Sequence, residues 1–326
     1  MLKKYPMKLR PVTKEILWGG DRLKQRYHKQ APFDKLAESW ELTVRPDGMS
    51  VIDSGDYTGV PLDEFIRYNP RSILGYNGVK GDRFPILIKF IDARDDLSIQ
   101  VHPGDDYALS HEGELGKMEM WYIVEATEDA KLVYGLKDGC TQEAFARAVT
   151  EGKTESVLRY VPVQAGECYF IPSGQVHAIG AGCLIAEIQQ NSNVTYRVYD
   201  YDRRQADGSL RQLHVAQALD VVQVRTDAEV QALRYEAGPD KHGKTICNCK
   251  YFKVKKHITS VDGNTDFFVS DKSFKSVLVL HADNAYLEHD GTRYEITTGD
   301  SFFLPAGMGS VTLSGDAVAL VTTVNG

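Results

Sequence analysis

Residues 97–125 read LSIQVHPGDDYALSHEGELGKMEMWYIVE, and this stretch decides the fold. Leu97, Ile99 and Val101 alternate in a run of strand formers, so Gln100 and His102, two apart, point to one face. A Gly/Asp/Ser-rich connection then lets a second apolar run, Met118 to Val124, return beside the first, carrying Glu119. Downstream, GECYFIPSGQVH (Gly166 to His177) reads as a turn, a short strand, a Pro-Gly turn and then His177 on the next strand. Together these supply an amide oxygen, two imidazoles and a carboxylate. That mixed set, with a position left for water, suits a catalytic Zn²⁺ better than a closed structural site, and Fe²⁺ and Mn²⁺ accept the same ligand types.

A single His on a strand is usually solvated or satisfied by a neighbour, so neither His102 nor His177 alone argues for a metal. The joint pattern does. HxP beside a Gln, a lone Glu on a strand of Met, Trp and Tyr, and a PxGxxH turn are the three parts of a cupin metal site in order. LSIQVHP, KMEMWYIVE, GECYFIPSGQVHAIGAG and EIQQNSNVTYRVYDYDR resemble, in order and spacing, the motifs of type I mannose-6-phosphate isomerases in their short bacterial form. The resemblance begins with WGG (Trp18 to Gly20) and AESWELT (Ala37 to Thr43) and covers most of the chain. It implies Gln100, His102, Glu119 and His177 as ligands of one Zn²⁺ per chain, Arg197 as the catalytic arginine, and Lys117 as the lysine two before the ligand glutamate. Asn193, four before Arg197, stands where members of that family often carry Asp, which weakens an acid–base role for that side chain.

Composition sets the class. The chain has 326 residues, 42% hydrophobic and 25% charged, enough for two packed domains. No apolar run approaches a membrane span, and MLKKYPMKLRPV lacks the apolar core of a secretory signal, so a cytoplasmic location is expected. Five cysteines, an odd number, do not suggest a disulfide framework, and the Cys247–Cys249 pair has no second Cys or His pair at zinc-finger spacing. A net charge of −7 argues against nucleic acid, and it obliges any sugar-phosphate site to hold its ligand with local cations.

Residues 1–60 read as short strands and turns; Lys14 to Gly20 is a strand entering a glycine turn, and Ser39 to Val44 alternates. Pro61 to Ile66 opens a short helix that Asn69-Pro70 stops. FPILIKFI (Phe84 to Ile91) is an apolar run expected for a strand buried on both sides. Thr141 caps the strongest helix signal, running to Val149, and Val157 to Tyr160 is read as extending it into a helical insertion over about 138–160. That insertion is either a lid over the site or a covering layer for one end of a barrel. His214 to Val224 and Thr226 to Leu233 read as connecting helices.

Short strands then recur at the spacing of a sandwich or barrel. Gly299 to Gly307 (GDSFFLPAG) aligns without gaps with Gly166 to Gly174 (GECYFIPSG), placing Ser310 opposite His177. The expectation is therefore an all-β chain: a cupin jelly-roll catalytic domain over 1–235, then a smaller cupin-like roll over 236–326 that lacks metal ligands. His281 and His289 have no partners at useful spacing there.

Aldose–ketose isomerisation needs a proton-handling group, stabilisation of an enediolate and a phosphate anchor. A metal with open positions serves the second need. Arg197 offers a planar fork for developing charge or phosphate. In YRVYDYDR, alternation puts Arg197 on one face with Tyr199 and Tyr201. Lys117 shares a strand face with Glu119, and Glu187 lies among apolar neighbours on the strand after His177. Glu187, Lys117 and a metal-bound water all stand as candidate bases. The expected function is zinc-dependent interconversion of mannose 6-phosphate and fructose 6-phosphate by a monomer or homodimer, with no nucleic-acid or membrane partner. Two other classes fit parts of the pattern: another metal-dependent cupin enzyme such as an iron dioxygenase, disfavoured by Gln100, and a non-catalytic sugar-phosphate-binding module.

Overall fold

The computed structural model describes residues 2–81, 83–205, 207–235 and 243–326. The chain forms two compact units, one of Glu15–Gly20 and Ile91–Tyr235, the other of Met1–Lys14, Asp21–Phe90 and Glu236–Gly326. Residues 1–14 and 21–90 fall in the same unit as the carboxy-terminal roll. The cause is a strand pairing far apart in sequence: Met7–Arg10 lies antiparallel to Ser301–Leu304, with Met7 opposite Phe303.

In the Ile91–Tyr235 unit, five antiparallel strands form one sheet in the order Leu158–Pro162, Lys131–Leu136, His177–Ile179, Ile99–Val101, Tyr196–Tyr199. A second sheet runs Arg234–Tyr235, Cys168–Ile171, Glu119–Ala126, Cys183–Gln190. Alternation decides what each face carries. Ile99, Val101, Val133, Ala178, Tyr196 and Val198 point outward from the five-stranded sheet and pack with Phe145, Ala218 and Val222. The opposite face turns Tyr134, His177, Gln100 and Arg197 toward the second sheet, each paired with the next across neighbouring strands.

The helix expected behind Thr141 spans Gln142–Thr150, with the Thr141 hydroxyl accepting from Ala144 N. It covers the outer face of the sheet through Phe145, so it is a covering layer on the side away from the histidines. It does not extend through residue 160. A single 3₁₀ turn at Thr154–Val157 leads into the strand Leu158–Pro162, because Leu158, Tyr160 and Val161 pair with Leu136, Val133 and Leu132. The connection after His102 holds a helix, Asp105–His111, with two acidic residues in its first turn.

In the other unit Leu62–Tyr68 is helical as expected, but Asn69-Pro70 does not end helix altogether. The Asn69 side chain accepts from Ser72 N and caps a second helix, Pro70–Gly78, with proline at its start. The carboxy-terminal strands form a roll. Lys275–His289 and Gly309–Val324 are long and bent, and they share a core of Val277, Val279, Leu304, Val311, Ala319 and Val321. AESWELT proves structural at Glu41, which is fully buried and ion-paired with Lys29 at 2.7 Å. Among the described residues, no helix is long and apolar enough to cross a membrane.

Candidate active site

The two sheets of the Ile91–Tyr235 unit meet at a cluster of His102, Glu119 and His177, all buried, each offering a ligand atom within 4.8 Å of the others. Glu119 opens its strand and pairs with Ile171 on one side and Gln189 on the other, which fixes its carboxylate toward the interior. Its Oε1 lies 3.3 Å from His177 Nε2, and its Oε2 lies 3.8 Å from His102 Nε2. The two imidazole Nε2 atoms are 3.1 Å apart. His177 Nδ1 sits 2.7 Å from the Gln175 carbonyl, which orients the ring with Nε2 inward. Burial holds the His177 pKa down, to about 4, against the opposing pull of the Gln175 carbonyl and Glu187, so the ring is neutral at pH 7 and its Nε2 lone pair is a donor. Two imidazoles and a carboxylate converging in a buried cluster fit a divalent metal ion.

One turn ties the segments of the two histidines together. Gly174, at φ +79°, occupies the left-handed region that the Pro-Gly turn requires, and its N–H donates to the His102 carbonyl at 2.9 Å. Gln100, half-buried, stands directly opposite His177 on one side and Arg197 on the other. The fourth ligand expected from sequence is therefore on the inward ladder beside the cluster.

Lys117 is buried, and its Nζ lies 3.2 Å from Glu119 Oε2. It is positioned by a brace. Asp105 Oδ1 accepts from Gly116 N and from Gln190 Nε2, while Gln190 Oε1 accepts from Met118 N. A side chain at Gly116 would put Cβ 2.5 Å from the Asp105 backbone nitrogen, so glycine is needed for this approach.

Arg197 is held through Nε to Ser98 Oγ at 3.3 Å and through Nη1 to the Gln212 carbonyl at 2.9 Å. Burial, with Arg211 and Arg203 nearby, lowers its pKa, although a guanidinium stays charged. Arg203 and Arg211 both grip Asp200, the former at 2.6 Å, so a group of arginines stands beside the inward ladder. The sequence signal for Arg211 and His214 was absent, since both lie in a connection. His214 N donates to the Arg197 carbonyl at 2.7 Å, and Arg197 N donates to His214 Nδ1 at 3.4 Å.

Tyr199 and Tyr201 do not share the Arg197 face. The register shifts between Arg197 and Tyr199, which breaks the alternation and sends both tyrosines to the outer apolar cluster. Glu187, the third catalytic candidate, is buried and accepts from Trp121 Nε1 at 2.9 Å, and the Trp121 ring meets His177 edge-on. Asn193 uses its backbone carbonyl to accept from Thr195. None of the five cysteines forms a disulfide. In the second roll, His281 faces Asp316 and His289 contacts the Ser310 carbonyl.

Residues 7–134 match the model for the catalytic domain of type I phosphomannose isomerase, and residues 242–324 match the mannose-6-phosphate isomerase cupin domain. The mannose-6-phosphate isomerase ManA of Bacillus subtilis (strain 168) is 37% identical over 318 residues, covering 97% of this chain and 98% of that protein. This chain belongs to the type I phosphomannose isomerases. A mannose-6-phosphate isomerase of Streptococcus mutans is a 42% identical member of this family over 219 residues, covering 67% of this chain and 68% of that protein. The crystal structure of the mannose 6-phosphate isomerase from Bacillus subtilis shares the phosphomannose isomerase fold with a TM-score of 0.86, at 34% identity, across 98% of this chain and 99% of that one.

Proposed function

We propose that the chain is a zinc-dependent isomerase interconverting D-mannose 6-phosphate and D-fructose 6-phosphate through an enediolate. The observation that supports it most directly is the buried His102, Glu119 and His177 cluster, flanked by the Lys117 ammonium and the Arg197 guanidinium, in a member of this family. Zinc, held there by these three residues and by Gln100, would supply Lewis acidity for the oxygens on C1 and C2. The rest is the work of the chain. Arg197 presents a planar donor fork to developing negative charge or to the phosphate, and its bonds to Ser98 and Gln212 fix that fork in advance. Lys117 places three N–H donors beside the metal-binding carboxylate, where it can hydrogen-bond a substrate hydroxyl or move a proton. Glu187, tied to Trp121 and adjacent to His177, orients the ligand ring from behind. The local arginines offset the net charge of −7 for an anionic substrate. A cytoplasmic enzyme acting on a small hexose phosphate goes with this reading.

A coupled assay for fructose 6-phosphate formation from mannose 6-phosphate tests it, run before and after chelation and with zinc restored. Turnover lost on chelation and regained with zinc is expected, and His177→Ala should lose metal and activity together. Binding of the sugar phosphate without turnover in the zinc-loaded protein would favour a binding module, and oxygen uptake an oxidative cupin enzyme.

A further inference from the structure

The second roll repeats the hydrogen-bond frame of the first. Gly166 N donates to Ile123 O and Ile123 N to Glu167 O; 133 residues on in the turn, Gly299 N donates to Val279 O and Val279 N to Asp300 O. Gly174 N donates to His102 O, and Gly307 N to Ser270 O. His177 faces Gln100, and Ser310 faces Phe268. Glu119 faces Ile171, and Lys275 faces Leu304. By chain position, Gln100, His102, Glu119 and His177 are answered by Phe268, Ser270, Lys275 and Ser310; Phe268 and Ser310 are exposed, whereas Lys275 stands on the face that carries Val277 and Val321 of the core. The only ionisable group among the four is a cation where the first roll has a carboxylate.

Lys275 does not stand alone. Thr323 lies between Lys275 and Lys253 on adjacent strands, and Val321 lies between Val277 and Lys255, so the three lysines share the face that carries the roll's core. Lys275 Nζ donates to Thr323 Oγ1 at 2.5 Å, and no ion pair joins any of the three lysines to a carboxylate among the described residues. Burial first, and then Lys255 and Lys253, push the Lys275 pKa down to about 8. Three ammonium groups gathered on one inward face without a counter-charge repel one another, and an anion relieves that repulsion.

We propose that the second roll binds a small oxyanion of the phosphate class, held by Lys275, Lys253, Lys255 and the Thr323 hydroxyl on the face these residues share. Inorganic phosphate and the phosphoryl group of a hexose phosphate offer the same oxygens. The phosphoryl oxygens are what the two share, so phosphate itself is the probe.

Residue-resolved acetylation of the intact protein, read by mass spectrometry, tests this. Lys275 should react near pH 8. Its labelling should slow roughly tenfold once phosphate stands about tenfold above its dissociation constant, with no slowing by chloride at equal ionic strength. Protection by phosphate and fructose 6-phosphate alike identifies the phosphoryl group as the ligand; protection by phosphate alone identifies the free ion. A Lys275 that is unreactive, or that chloride protects as well as phosphate does, overturns the proposal. As a second measurement, Lys275→Met should abolish the part of any phosphate-induced rise in melting temperature that chloride does not reproduce, while leaving isomerase activity intact; an undiminished rise overturns it too.

Discussion

Trp121 and Glu187 stand directly opposite one another on adjacent antiparallel strands, and their side chains close a buried hydrogen bond of 2.9 Å from indole nitrogen to carboxylate. A carboxylate engaged in this way positions its neighbours, among them His177 across the Trp121 ring. Glu187→Gln keeps an acceptor for the indole, so kcat should stay within about tenfold of the parent, the lower end of what a general base contributes being greater. Glu187→Ala leaves the indole N–H buried without its acceptor and should lower stability by about 1–3 kcal/mol. Steady-state kinetics and denaturant unfolding check the two; a loss of kcat far beyond tenfold in Glu187→Gln would restore Glu187 as the base.

The Arg197 side chain contacts neither His102, Glu119 nor His177 in its hydrogen bonds, which run to Ser98 and Gln212. Arg197→Ala should therefore keep its metal and lose about 10²–10³-fold in kcat, the scale of removing one charge-stabilising donor. Arg197→Lys should recover little, since an ammonium cannot reproduce the fork. Metal content by atomic emission, alongside kinetics, separates this from a collapse of the site.

Gly174→Ala puts a Cβ 2.7 Å from the Val221 carbonyl at φ +79°, in the turn that links His102 to His177. The strain should cost on the order of 1–3 kcal/mol and weaken metal binding. Gly113→Ala, at φ +63° with open space around it, is the control. It should cost about 1 kcal/mol and leave metal affinity alone. Unfolding curves and a competitive chelator titration measure both.

Lys275 sets a pH dependence whose sign follows from its lowered pKa. Between about 8 in the folded chain and the ordinary 10.5, the unfolded chain holds the extra proton, so stability rises with pH across that window. Below it, the buried charge destabilises the fold by a constant amount. Lys253 and Lys255, both on Phe252–Thr259 across the intervening Gly309–Val324 strand, face the same side and act in the same direction. Relative to Lys275→Met, the parent should gain stability between pH 8 and 10.5, by up to about 3 kcal/mol. Phosphate-free buffers and chemical unfolding at each pH provide the measurement; a flat difference would show that Lys275 is not desolvated.

Much of the site was legible because its signals are local. Gln100 and His102 sit two apart on one strand, and PxGxxH is a turn whose glycine has one backbone solution. The echo between Gly166–Gly174 and Gly299–Gly307 is likewise written in consecutive residues. What sequence reading missed depends on partners distant in the chain. The pairing of Met7–Arg10 with Ser301–Leu304 leaves no local trace, and neither does the capture of Glu187 by Trp121. Tyr199 was assigned to the wrong face because strict alternation cannot foresee a bulge. The helix Asp105–His111 was obscured by a stretch of turn-forming residues that supplies its acidic first turn instead.

The strand that carries Arg197 is the last of its five-stranded sheet, and on its outer side His214, through its backbone N–H and its ring Nδ1, takes the place of a neighbouring strand. A border fastened at one residue frays before the interior does. The ladder joining Gln100 to His177 lies inside that border, so warming should silence the enzyme before it disturbs His102, Glu119 and His177, and cooling should bring activity back.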